Sequence, residues 1–405
     1  MPGRLPFPIA ALPLPSTRPS TGRRIGMLST YPPKLCGLAT FAAALENELR
    51  RAGNQVDMIR VDDGDHLCSP DRPVVAELLN GSASSVRNAA AVLSRCDVAI
   101  IQHEYGIYGG ADGDEIIDLL TALRSPAIVV LHTVPLHPSE HQRSVLESVC
   151  ELAAQVVVMA EMARTRLISL YTVDASKVVT IPHGASTPTI DPPGTDPRVV
   201  DPDAGVQPPQ LLTWGLLGPG KGIEHTINAL AMLRDVVPAP RYTVAGVTHP
   251  KVFASQGDQY RRSLVQRATS LGIGDSVSFD DKYRDVAQLT RFVASATAVV
   301  LPYESRDQVT SGVLVDALAA GRPVIATAFP HAVELLGSGA GIVVPHGDPL
   351  AMADAIRLTL TDDDAIDSMA TEARRLAPSF SWSAVAAQYL GLADDLVQTA
   401  ASIAI

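Results

Sequence analysis

Two consecutive α/β domains, each a doubly wound parallel sheet, are predicted by three features of this sequence. The chain has 405 residues and is 46% hydrophobic, whereas single cores stop growing at roughly 250 to 300 residues. Short β-branched runs alternate with helical periodicities from Ile25 to Ile181, and again from Leu211 to Val344; such alternation predicts parallel strands covered by helices on both faces. Between the two series, STPTIDPPGTDPRVVDPDAGVQPPQ at 186–210 has neither period and is rich in Pro and Asp, which marks a boundary.

The expected division is a disordered tail at 1–23, a first domain at 24–190, a linker at 191–209 and a second domain at 210–380. A helical segment at 381–405 is expected to pack back towards the first domain. The Pro-interrupted start lacks the apolar core of a secretory signal. Ile25 to Ser29 reads as a strand, Ala39 to Arg51 as an amphipathic helix and Gln55 to Val61 as a second strand. Next come a helix near Ser85 to Ser94, a strand Asp97 to Gln102, a helix Asp114 to Arg124 and a strand Ala127 to His132. A helix through Glu147, a strand Gln155 to Met159, a helix Glu161 to Tyr171 and a strand Lys177 to Ile181 complete the first series. The second places strands near Leu211 to Trp214, Tyr242 to Ala245, Val277 to Phe279, Ala298 to Leu301, Pro323 to Ala326 and Ile342 to Val344. Ligands of such sheets sit beyond the carboxyl ends of the strands, and two facing domains create a cleft there.

Composition narrows the chemistry. A net charge of −11, concentrated in the second half, argues against a nucleic-acid partner. The four cysteines are widely spaced with no CxxC pair, which predicts neither a zinc site nor a disulfide framework and fits a cytoplasmic protein, with room for peripheral attachment at the inner membrane face. No apolar run is long enough to span a bilayer.

Polar residues concentrate after the strands. The stretch VVLPYESRDQVTSGVLVDALAAGRPVIAT at 299–327 reads as strand, loop, helix and strand, with Thr310 or Ser311 as helix cap and Gly312 and Val313 in the first turn. Unpaired amides and the helix dipole make that end attractive to phosphate. Asp316, one turn deeper, leans back towards it. A dipole-complementing Asp and an ordinary cap are the structural alternative. The turn WGLLGPGKG at 214–222 frees backbone amides through Gly215 and Gly220 and adds the charge of Lys221, which suits a diphosphate; it departs from the Walker pattern because Gly222 follows the lysine. In the first domain, Gly37 opens a helix, His103-Glu104-Tyr105 follows one strand and His132 ends the next, so two histidines share one sheet edge.

In motif order from about Arg24 to Leu390, these residues resemble the retaining glycosyltransferases of family 4, whose two Rossmann-like domains form the GT-B fold. GLLGPGKG resembles the family's Gly-Arg-x-x-x-x-Lys-Gly loop, TIPHGAS the segment ending the first domain, and SGVLVDALAAGRPVIAT the donor helix and following strand. STYPPKLCGLATF, QHEYGIYGG and AGVTHP are similar to a mannosyltransferase-like branch. The resemblance implies transfer of a hexose, mannose favoured, from a nucleotide diphosphate sugar to a glycan, lipid-linked or small-molecule hydroxyl in glycan or polysaccharide synthesis. It implies no metal and no cofactor, with GDP-mannose favoured over a UDP-sugar as co-substrate. His132, Gln308 and Lys221 become the catalytic candidates. Gly215, Gly220, Lys221, Thr310, Ser311, Gly312, Val313 and Asp316 become the donor-binding ones, and Gly37, His103, Glu104 and Tyr105 the acceptor-side loops.

Three departures stand out. Gln308 and Asp316 occupy the positions of the family's two glutamates, and Leu216 that of the loop arginine, so diphosphate binding rests on Lys221 and backbone amides. Three rivals keep the same cleft: a sugar-nucleotide epimerase, a sugar phosphorylase and a catalytically silent nucleotide-sugar binder. The acidic turns Asp63-Gly64-Asp65 and Asp112-Gly113-Asp114 offer a metal-dependent alternative of another fold, which the repeated second half argues against.

Overall fold

The computed structural model describes residues 22–34, 36–64, 73–187, 207–282 and 284–403. The tail expected at 1–23 and the linker at 191–209 lie almost wholly outside the described residues, as does Asp65.

The first domain runs β1 (Arg24–Ser29), α1 (Gly37–Arg51), β2 (Gln55–Asp62), β3 (Val74–Leu79), α2 (Ala83–Leu93), β4 (Val98–His103), α3 (Glu115–Ala122), β5 (Ala127–Leu131), α4 (Glu140–Leu152), β6 (Gln155–Val158), α5 (Glu161–Leu170) and β7 (Val178–Thr180). Its seven strands are ordered β3-β2-β1-β4-β5-β6-β7, parallel throughout. The central strands are unbroken apolar runs such as AIVVL in β5, every residue of which is buried, because helices cover both faces. The strand order reverses between β1 and β4, opening a crevice at their carboxyl ends.

Strand β3 is absent from the sequence reading, which passes from β2 straight to the helix near Ser85. It is an edge strand whose residues alternate between buried and exposed, and Pro70 and Pro73 just before it mask its signal. Other boundaries differ from expectation by a few residues at most for the strands.

The second domain runs β8 (Gln210–Trp214), α6 (Ile223–Leu230), β9 (Arg241–Ala245), α7 (Pro250–Gln256), α8 (Gln259–Ser270), β10 (Val277–Asp280), α9 (Val286–Ala294), β11 (Ala298–Leu301), α10 (Gly312–Ala319), β12 (Val324–Thr327), α11 (Pro330–Leu336), β13 (Gly341–Val344), α12 (Pro349–Thr361) and α13 (Asp363–Phe380), followed by α14 (Trp382–Ile403). Its strand order, β10-β9-β8-β11-β12-β13, reverses between β8 and β11. The Gly-rich turn after β8 and the loop leading to α10 therefore leave neighbouring strands on one edge.

Helix α14 returns to the first domain. Val385, Ala386, Tyr389 and Ala393 are buried in the same apolar cluster as Phe41, Leu45 and Leu49 of α1, and Arg23 forms an ion pair with Asp394. The crossing is pinned where Ala185 N–H donates to Phe380 O at 2.7 Å.

Candidate active site

The site is assembled from loops at the two points of strand reversal. In the second domain, Gly222 adopts a left-handed φ of +63° to start α6, and a Cβ there would run into the Pro302 carbonyl oxygen, so only glycine permits this turn to close on β11. The turn is tied to the next loop by Glu304 N–H donating to Gly220 O at 3.0 Å. Lys221 is thereby carried over the Tyr303 ring, its Nζ 4.5 Å from the centroid. Burial lowers its pKa from the usual lysine value, so an anion arriving here restores what the ammonium lost on desolvation.

Ser311 is the N-cap of α10, its hydroxyl accepting from Leu314 N–H at 3.3 Å. Thr310, the other candidate cap, has a buried hydroxyl with no hydrogen-bond partner among the described residues. The Ser311 N–H donates to His331 Nδ1 at 2.9 Å. Burial, then the neighbouring His183, pushes His331 down to about 3; it is a neutral acceptor. Asp316 is the only charge in α10, a helix otherwise built of apolar residues and one glycine. Among the described residues its carboxylate has no hydrogen-bond or ion-pair partner, and burial pushes its pKa up to about 7.

The first domain supplies the opposite wall. His132 Nε2 donates to Gln102 Oε1 at 2.6 Å, leaving Nδ1 as the free lone pair. Burial, reinforced by His183 and His103, pushes its pKa down to about 3. His183, which follows β7, donates from Nδ1 to Gly184 O at 2.7 Å and presents Nε2 to the second domain. It reaches the start of α10: a Cβ on Gly312 would stand 2.9 Å from His183 Cε1 and Nε2. The glycine that opens the helix end therefore admits an imidazole edge from the facing domain. Phe41 holds both imidazoles, its ring edge-on to His132 and to His183 at 5.1 Å each.

The structure thus gathers His132, Ser311 and Gly312 around His183, with Lys221 on the neighbouring turn. His183 and His331 were not singled out from the sequence; a single His in TIPHGAS or AFPHAVE carries no spacing signal. Gln308 sits just before the α10 cap, its Nε2 donating to Thr310 O at 3.0 Å.

The acceptor-side candidates differ among themselves. Gly37 begins α1 behind a Cys36 cap, with open space where a Cβ would be. Glu104 accepts from the Thr133 hydroxyl at 2.5 Å and from Tyr105 N–H at 3.0 Å, and burial raises its pKa. Tyr105 donates its hydroxyl to Gln142 O. His103 is 1% exposed, with both ring nitrogens unpartnered among the described residues and its pKa pushed down to about 4 by burial; it lies beneath the cleft surface. The acidic turns are occupied: Asp63 pairs with Lys34, and His141 bridges Asp112 and Asp114. Among the described residues no group of three or more His, Cys, Asp or Glu is placed to hold a metal ion, and no helix is long and apolar enough to cross a membrane.

Comparison with known proteins agrees with this geometry. Residues 36–187 match the family model "Glycosyltransferase Family 4", and residues 201–376 match "Glycosyl transferases group 1". The D-inositol 3-phosphate glycosyltransferase of Stackebrandtia nassauensis is 29% identical over 245 residues, 57% of this chain and 52% of that protein. The chain spans about half the length of the curated relatives it matches. Among solved structures, a glycosyltransferase from Rickettsia africae superposes with a TM-score of 0.72 at 14% identity, covering 93% of this chain and 99% of that one. HepE from Anabaena, solved with UDP, gives 0.71 at 19% identity over 92% and 100%. Two Rossmann-like parallel sheets facing a cleft, and two family models that between them take in most of the sequence, lead to one assignment: the chain belongs to glycosyltransferase family 4 and has the GT-B fold.

Proposed function

We propose that this protein transfers a hexose from a nucleoside diphosphate sugar to a hydroxyl acceptor, with retention at the anomeric carbon and without a metal ion. One observation carries the reading. The Lys221 turn and the capped start of α10 leave adjacent strands, and one turn inside α10 stands a partly buried carboxylate, Asp316, with no partner among the described residues. A diphosphate fits between the lysine and the helix amides, and ribose hydroxyls fit the carboxylate.

In the transfer, the bond from the anomeric carbon to the phosphate oxygen breaks, the acceptor oxygen forms the new bond on the same face, and the acceptor proton passes to the leaving phosphate. The chain's part is to position the two substrates and stabilise charge on the leaving group. His132, whose Nε2 is taken up by Gln102, leaves Nδ1 to accept from a sugar hydroxyl in this reading. GDP-mannose is the donor we favour. HepE was solved with UDP-glucose, so UDP-sugars form the second arm of the test, and the name of the curated relatives makes an inositol phosphate the first acceptor to try. Calorimetric titration with GDP and UDP, followed by product analysis from GDP-mannose and UDP-glucose with and without acceptor, tests the proposal. Binding of neither nucleotide overturns it; binding with no turnover points to a silent nucleotide-sugar binder.

A further inference from the structure

Arg166, on α5 of the first domain, is 8% exposed and forms no ion pair among the described residues. Its Nη1 instead donates to two carbonyl oxygens, Val134 at 2.9 Å and Asp307 at 2.8 Å. One nitrogen with two hydrogens thus bridges the domains. Val134 lies two residues after His132, and Asp307 immediately precedes Gln308, so a single planar group fixes the separation of the loops carrying two catalytic candidates. A buried guanidinium loses its water on folding, and charge-assisted bonds to two carbonyls replace it. The same loop is seated on the first domain a second way: Val309, one residue beyond Gln308, is 4% exposed within the apolar core of the first domain. Helix α5 is held from the same side at its start, where Glu334 of α11 accepts from Glu161 N–H at 2.9 Å and Met162 N–H at 2.8 Å.

We propose that Arg166 is a positioning residue for glycosyl transfer, setting the gap between the His132 and Gln308 loops that the donor sugar must occupy. This rests on the proposed function, since a gap matters to rate only if chemistry takes place in it. A misplacement of about 1 Å costs on the order of a hundredfold in rate, whereas nucleotide affinity, set by the Lys221 turn and α10, does not depend on the brace.

The test compares the full chain with Arg166→Met and Arg166→Gln, the latter keeping a donor on a shorter arm. Three quantities are read: affinity for GDP and UDP, kcat for hydrolysis or transfer from GDP-mannose or UDP-glucose, and hydrogen exchange in segments 132–137 and 303–311. Arg166→Met is expected to keep nucleotide affinity within about twofold, to lower kcat by about ten- to a hundredfold, and to raise exchange in both segments together, with Arg166→Gln intermediate. If Arg166→Met does not fold, the same comparison is made on Arg166→Gln. Exchange that rises in neither segment, or in one alone, overturns the brace. Loosened loops with unchanged kcat overturn its role in transfer. A parent protein that binds and turns over neither donor refutes the proposed function and the positioning role with it, while the exchange data still decide whether Arg166 joins the loops.

Discussion

Lys221 sits on an aromatic ring, in a site that costs it hydration, and its only compensation among the described contacts is the face of Tyr303. A diphosphate supplies the missing charge. Lys221→Ala is therefore expected to remove about 2 to 4 kcal/mol of transition-state stabilisation, read as kcat/KM with the preferred donor; a near-normal value would remove Lys221 from the site. Asp316 carries the opposite burden. Its pKa is raised from 3.8 to about 7, so the folded state holds its proton where the unfolded state has lost it, and this group costs stability progressively as pH rises from about 4 to 7. Asp316→Asn is expected to melt higher than the parent at pH 8, by about 1 to 3 kcal/mol after allowing for partial exposure. Its affinity for the nucleoside diphosphate should fall about tenfold. A variant that gains stability and keeps its affinity would leave Asp316 without a ligand role. These two residues were legible because a Gly-rich turn and a capped helix after a strand announce backbone amides in the sequence itself. His183, His331 and Arg166 were not: His183 and Arg166 meet residues more than a hundred positions away, and His331 meets Ser311 across α10 and β12, and nothing in local spacing records such meetings.

At the scale of elements, period and punctuation located nearly every strand, because buried parallel strands are continuous apolar runs bounded by turns. The exception, β3, is an edge strand in which every second residue is exposed or only partly buried. Helix α5 begins at Glu161 as the sequence reading has it, but what caps it was not legible: its N-cap is Ala160, which offers no side chain to the first amides. The missing acceptor comes from α11 of the other domain as the Glu334 carboxylate, bonded to two successive amides. A helix end capped in this way is satisfied only while the domains stay together. Glu334→Ala is expected to cost about 1 to 2 kcal/mol, in the range of other cap removals, and to raise exchange at the Glu161 and Met162 amides. Loss of stability without faster exchange at those amides would mean that Glu334 acts elsewhere.

The whole molecule hides an acid sensitivity in the buried histidines in and beneath its cleft. His103, His132, His183 and His331 are all held neutral, with pKa values between about 3 and 4, chiefly by burial. Each has a folded value below the unfolded one, so the stability they contribute is present above pH 6.5 and is lost as pH falls towards 4; Asp316 opposes them with a single proton. Net uptake of close to three protons on unfolding near pH 5 gives a slope of roughly 3 to 4 kcal/mol per pH unit from these groups. Urea denaturation at pH 5, 6 and 7 measures it, and a slope below 1 would mean that the imidazoles are already protonated in the native state. The same neutrality predicts that the pH profile of kcat has no limb near 6.5 arising from His132.

Helix α14 has a consequence for how the chain is made. It is the last helix of the described chain, yet Tyr389 and Ala393 fill a core whose other walls are α1 and the first strands. During synthesis, the first domain leaves the ribosome with that face bare, and its apolar groove stays uncovered until some two hundred further residues have been added and the second domain has taken shape. The groove then receives a segment delivered by the second domain, so a core begun by the early strands and α1 is closed only by the last helix to be translated among the described residues. A nascent chain halted after β7 would present Phe41, Leu45 and Leu49 to chaperones as an unfinished surface, and only a chain that has reached α14 retires it.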